Sequence, residues 1–100
     1  MAAKVTLLSA EFSEPDVMAV FDREGLTPGR WSNGPGEAYS GHSHAYHKVL
    51  FCLRGSITFR LSETGEKIEL RPGDRLDIEP GTMHSAVVGP EGVTCVEAAR

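Results

Sequence analysis

The four histidines of this chain fall at two places: three within His42-Ser43-His44-Ala45-Tyr46-His47, and the fourth at His84, just past Pro80-Gly81. Imidazole binds divalent first-row metals and exchanges protons near neutral pH, so this clustering marks where chemistry could occur. His42 and His44 are two residues apart, and on a strand that spacing sends both rings to one face, where they can share an ion. A third ligand has to come from elsewhere. The turn Pro80-Gly81-Thr82-Met83 hands the chain back to a sheet, so a strand starting at His84 can lie beside the one carrying His42 and His44. Histidines that are merely solvated or hydrogen-bonded on a strand are the other reading of the same pair.

The remaining polar residues point to no second chemistry. Glu63, Glu66, Glu69, Asp74, Asp77, Glu79 and Glu91 read as turn and solvent-face residues, with no spacing suited to an acid/base pair. There is no GxSxG elbow, no P-loop and no dinucleotide fingerprint, and Gly34-Pro35-Gly36 precedes a strand rather than a helix. Serine hydrolases and nucleotide-dependent enzymes are excluded.

Short β-prone runs must position the histidines. From Leu26 onward, turn signals such as Asn33-Gly34-Pro35-Gly36, Thr64-Gly65, Arg71-Pro72-Gly73 and Gly89-Pro90 separate strands expected near 29–32, 37–42, 47–54, 56–61, 66–70, 75–79, 84–88 and 93–98. That spacing is expected of an all-β sandwich or barrel. The run 47–53 is apolar at both parities: Lys48, Leu50 and Cys52 on one, His47, Val49, Phe51 and Leu53 on the other. One face should point into the barrel, and the other should be covered by a helix or a second subunit. The helix is expected over 14–24, capped by Ser13, with Pro15 near its start and Gly25 ending it. Val17, Val20 and Phe21 give it an apolar stripe to lay on the sheet.

With 100 residues, ten Lys plus Arg and fourteen Asp plus Glu, the chain reads as one domain (1–100) of net charge −4. Its basic residues are scattered, which argues against nucleic acid, and no run approaches the ~20 apolar residues of a membrane span. No targeting segment is read. Cys52 and Cys95 lie in apolar runs without CxxC spacing, as buried thiols of a reducing compartment do, so a cytoplasmic location is expected. A homodimer is expected too, because the row Val49, Phe51, Leu53 and the helix stripe are more apolar surface than a small monomer leaves wet.

The segment Gly36-x5-His42-x-His44-x3-Lys48-x6-Gly55 resembles the first motif of the cupin superfamily, G(x)5HxH(x)3-4E(x)6G, at both glycines and both histidines. Lys48 stands where that motif has glutamate. The segment Gly73-x5-Glu79-Pro80-Gly81-x2-His84 resembles the second motif, G(x)5PxG(x)2H(x)3N, with the proline displaced by one place and Val88 replacing the terminal asparagine. Together the motifs span 36–88.

The resemblance implies an all-β, cupin-type jelly-roll barrel (about 29–98) behind one short N-terminal helix. It also implies a divalent transition metal (Fe, Ni, Zn, Mn or Cu) held by His42, His44 and His84. An ammonium near the ion opposes its binding where a carboxylate would favour it, so a three-histidine site with open positions and a pocket without metal both stay open. Parity turns His47 outward and argues against it as the replacement ligand. Lys48 is then the candidate catalytic group, a cation or hydrogen-bond donor aimed at substrate. Two functions follow. One is a metal-dependent dioxygenase or Lewis-acid enzyme on a small molecule; the other is a non-enzymatic small-molecule binding or sensing module.

Overall fold

The computed structural model describes residues 3–7 and 12–100. Its one helix, α1 (Glu14–Arg23), begins at a capping box: Ser13 Oγ accepts from the Asp16 amide, and the Asp16 carboxylate accepts from the Ser13 amide at 2.9 Å. Pro15 sits in the first turn, where no helical amide partner is needed. Gly25, at φ +71°, turns the chain out of the helix.

The strands are β1 (Ala3–Leu7), β2 (Gly29–Asn33), β3 (Ala38–His42), β4 (Lys48–Leu61), β5 (Lys67–Leu70), β6 (Asp74–Ile78) and β7 (His84–Ala99). β4 and β7 form an antiparallel spine running from Lys48 opposite Ala99 to Leu61 opposite His84. One half of the spine is flanked by β6 and β2, with β1 beyond β6; the other half is flanked by β5 and β3. Two half-sheets sharing two bent strands make a jelly-roll barrel.

The sequence divides β4 and β7 into two strands each, and the fold corrects this. Gly55 and Gly92 carry the bend, at φ +70° and +79°, without ending either strand, and the β4–β7 register shifts at the bend. Pro90-Glu91-Gly92, which reads locally as part of a turn, lies within β7. β1 is an addition to the strands expected from the sequence, although Ala3, Val5 and Leu7 alternate there with Lys4 and Thr6.

Inward positions Leu50, Ile57, Leu70 and Leu76 fill the barrel with Cys52 and Cys95, which face each other in register as free thiols. Hydrogen bonding to Cys52, together with burial, pushes the Cys95 thiol far up, leaving it protonated and inert. The outward row Val49, Phe51 and Leu53 lies under α1, where Phe21 meets Phe51 edge-on at 5.4 Å. Val49 and Phe51 are at most 1% exposed. The helix therefore covers the row that suggested a second subunit.

Asp77 departs from its reading as a solvent-face residue. Arg75 donates to Glu24 (Nη2 to Oε1, 3.0 Å) and to Asp77 (Nε to Oδ2, 2.8 Å), Arg100 donates to Glu24, and His47 Nε2 lies 2.9 Å from Asp77 Oδ1. This network ties the end of α1 to β6 and to the last strand.

The Arg75 hydrogen bond holds the Glu24 carboxyl below its ordinary range. Burial would raise Asp77, but hydrogen bonds from Arg75 and His47 outweigh it and hold that group low as well. With both folded pKa values depressed, their stabilisation is complete above the unfolded carboxylate range, about pH 4, and disappears as pH falls through the folded values. The parent should therefore lose melting temperature more steeply below about pH 4 than Glu24→Gln does. Parallel acid melting curves would remove the network from the account of acid stability.

Candidate metal centre

His42 closes β3 and His84 opens β7, and the two are register partners across the β3–β7 pair. Their ring centroids are 4.5 Å apart. His44 lies two residues beyond β3, where the Gly81 amide donates to its carbonyl at 2.8 Å and ties this loop to the turn that launches β7. His44 then sits 4.8 Å from His42 and 5.5 Å from His84, centroid to centroid. The two motifs, some forty residues apart, meet because the β3–β7 pairing closes this end of the barrel.

The rings are oriented as metal donors require. His42 Nδ1 lies 2.8 Å from the Ser40 carbonyl oxygen and His84 Nδ1 lies 2.9 Å from that of Thr82. Beside a carbonyl, each Nδ1 must carry the hydrogen, which leaves an Nε2 lone pair facing inward. Nε2 of His44 and of His84 are buried with no hydrogen-bond partner. One ring nitrogen from each of the three histidines lies within 4.8 Å of the other two, and a triangle of that size has a point within about 2.8 Å of every corner, so the rings need to close in by up to about 0.7 Å to reach the ~2.1 Å of a zinc–imidazole bond. Burial first, then Lys48 and the neighbouring rings, lower the proton affinity of His44. Burial likewise lowers His84 against the opposing Thr82 hydrogen bond. Neutral imidazoles with unpartnered buried lone pairs fit a divalent ion.

Lys48 points into the barrel with its side chain 11% exposed, and its Nζ lies 3.2 Å from Glu97 Oε1. Trp31 Nε1 donates to the same oxygen at 2.7 Å. These groups, with Tyr39, Phe59 and His84, line a cavity of about 340 Å³. His47 faces the other way, onto Asp77, and does not join the cluster.

Glu97 is the charged pocket residue that the sequence does not single out, and its aromatic neighbours Trp31 and Tyr39 are not singled out either. The signal for Glu97 is a lone charge in the otherwise uncharged run 93–99, at the same parity as inward-facing Cys95. Tyr46 stands against His44, with ring centroids 4.9 Å apart, and props that ring from outside the cluster.

No protein-family profile matches the chain. Over 56 residues it is 39% identical to quercetin 2,3-dioxygenase of Bacillus subtilis, a match covering 54% of this chain and 16% of that enzyme. The chain thus spans about a sixth of the length of that curated relative. Among solved structures, a cupin superfamily protein from Desulfitobacterium hafniense superposes with TM-score 0.65 at 15% identity, over 98% of this chain and 76% of that one. The polyketide cyclase RemF from Streptomyces resistomycificus superposes with TM-score 0.68 at 24% identity, over 74% of this chain and 53% of that one. The chain has the cupin fold, a jelly-roll barrel with, among the described residues, one short helix before it. Among the described residues, no helix is long and apolar enough to cross a membrane.

Proposed function

We propose that this cupin-fold chain binds one divalent first-row metal ion through His42, His44 and His84 and presents it to a small molecule in the adjoining cavity. The observation that carries this reading is the pair of buried, unpartnered Nε2 atoms on His44 and His84 facing the third imidazole. A bound ion would supply Lewis acidity or, if it is iron or another redox metal, dioxygen chemistry. The likeness to a named dioxygenase favours the oxygenase branch.

The protein's own groups define the ligand. Trp31, Tyr39 and Phe59 offer aromatic walls to a flat or apolar body. Lys48, with one contact made to Glu97, has donors left for an anionic oxygen such as a carboxylate or enolate.

Chelator-stripped protein titrated with Fe²⁺ (without oxygen), Ni²⁺, Zn²⁺, Mn²⁺ or Cu²⁺ tests the reading. At a free ion concentration a hundred times Kd, binding adds about 2.7 kcal/mol, which for a domain of this size raises Tm by roughly 10–20 °C. If none of the five ions moves Tm by more than about a degree, no site of useful affinity exists. The chain would then be a binding or sensing module in which Lys48 pairs with an anionic ligand and the histidines donate hydrogen bonds. The lysine at the glutamate position of the motif is what keeps this second reading alive.

A further inference from the structure

Lys48 poses a problem for any cation held by the three histidines. It opens β4 on the inward face and lines the same cavity as His42 and His84, so its charge opposes a metal ion at short range. The structure also holds the remedy. Leu50 is the register partner of Glu97 and Lys48 that of Ala99, which makes Lys48 and Glu97 diagonal neighbours on the inner face of the spine. Glu97 Oε1 accepts from Lys48 Nζ at 3.2 Å and from Trp31 Nε1 at 2.7 Å, so two strands hold the carboxylate against the ammonium. Trp31, on β2, pairs with Cys95, two residues from Glu97 on β7, and its indole reaches the carboxylate diagonally.

We infer that Glu97 is a positioning residue for the metal site: it neutralises Lys48 inside the barrel and so permits a divalent ion beside a lysine. The inference rests on the three-histidine reading above. Glu97 is not a ligand here. It is absent from the cluster of donors that lie within 4.8 Å of one another, and the oxygen it offers the pocket is already shared by Lys48 and Trp31. The negative charge that the family motif places on the ion is moved to the neighbouring strand and used to cancel a positive one. Three neutral imidazoles and an internally neutral ion pair then leave a bound ion its full charge, which favours an anionic co-ligand.

The test is a double-mutant cycle read by Ni²⁺ affinity, with Zn²⁺ as a second probe, each measured by competition with a chelator and needing no substrate. Glu97→Gln keeps the shape and the Trp31 contact but exposes the ion to an uncompensated ammonium, and affinity should fall by about 10–100-fold, the range typical of outer-sphere partners. Lys48→Met should bind at least as tightly as the parent. In the double variant Lys48→Met, Glu97→Gln, affinity should return to within about threefold of Lys48→Met alone, a rescue that a purely structural role for Glu97 would not show.

Parent affinity in Glu97→Gln overturns the inference. So does an equal loss with and without Lys48, since Glu97 would then act on the ion directly or through the fold. Should Glu97→Gln not fold, Glu97→Ala takes its place in the same cycle: a loss that Lys48→Met restores to within about threefold upholds the inference, and no loss or an unrestored one overturns it. A parent that binds neither ion overturns the three-histidine reading and this inference with it, an outcome visible before any variant is made.

Discussion

Gly55→Ala should yield no soluble folded protein at 37 °C. A Cβ at this position would lie 1.9 Å from the Gly92 carbonyl oxygen, 2.8 Å from its carbonyl carbon and 3.2 Å from Val93 Cα. All three atoms are backbone of the paired strand, so no side chain can swing aside. The φ of +70° adds the usual penalty for an L-residue in the left-handed region, about 1–2 kcal/mol. Relief requires separating β4 from β7 at the bend where the barrel changes from one half-sheet to the other.

A loss above about 4 kcal/mol is expected, a large share of the 5–15 kcal/mol that holds a domain of this size together. Gly29→Ala is the control: its Cβ meets nothing within 4 Å, and stability should stay within about 0.5 kcal/mol of the parent. Soluble yield and thermal melting measure both. A Gly55→Ala protein melting within about 5 °C of the parent would show that the two strands do not approach as described.

His84→Ala should abolish the thermal response to metal and weaken Ni²⁺ affinity by more than 100-fold, because the site loses one of three donors and the one most completely buried, at 1% exposed. The loss should be specific to the cluster. His47→Ala, in the same four-histidine set and one residue from Lys48, should bind metal as the parent does, since its ring faces Asp77 on the outer side of β6. Its cost should appear in the melting curve of the metal-free protein instead, at about 1 kcal/mol for a partly exposed hydrogen bond. Equal loss of metal affinity in the two variants would mean that the ion, if bound, sits elsewhere. Retention of full affinity in His84→Ala would end the three-histidine assignment.

Much of this molecule is legible from neighbours along the chain. Ser13 and Asp16 specify the start of α1 because a capping box closes within three residues. The two apolar parities of 47–53 require that both faces of that strand be covered, since alternation decides which side chains share a face. The spacing of His42 and His44, and the Pro80-Gly81 turn before His84, mark the candidate donors for the same local reason. The family motif supplies their grouping, and the β3–β7 register brings them together.

Other features depend on pairings between residues far apart in sequence. Gly55 and Gly92 read locally as breaks in strands, and only their mutual approach turns two expected interruptions into one bend in a continuous spine. Whether α1 or a second subunit covers Val49 and Phe51 depends on where the helix docks. Asp77 looks like a solvent-face residue until Arg75, itself held by Glu24 at the end of the helix, and His47 from the loop before β4 bond to it. Lys48 by itself speaks against a metal, and Glu97, forty-nine positions later, reverses its electrostatic meaning by lying diagonally across the spine.

Periodicity, caps and turns are set by steric and hydrogen-bonding contacts over a few residues, so the sequence by itself determined the helix, the strand-forming runs after it and the candidate donors. Register is set when bulges and core packing choose one alignment of distant strands. A shift of one residue would turn Glu97 out of the pocket and leave the lysine unpaired, so only the tertiary structure decided the charge of the site.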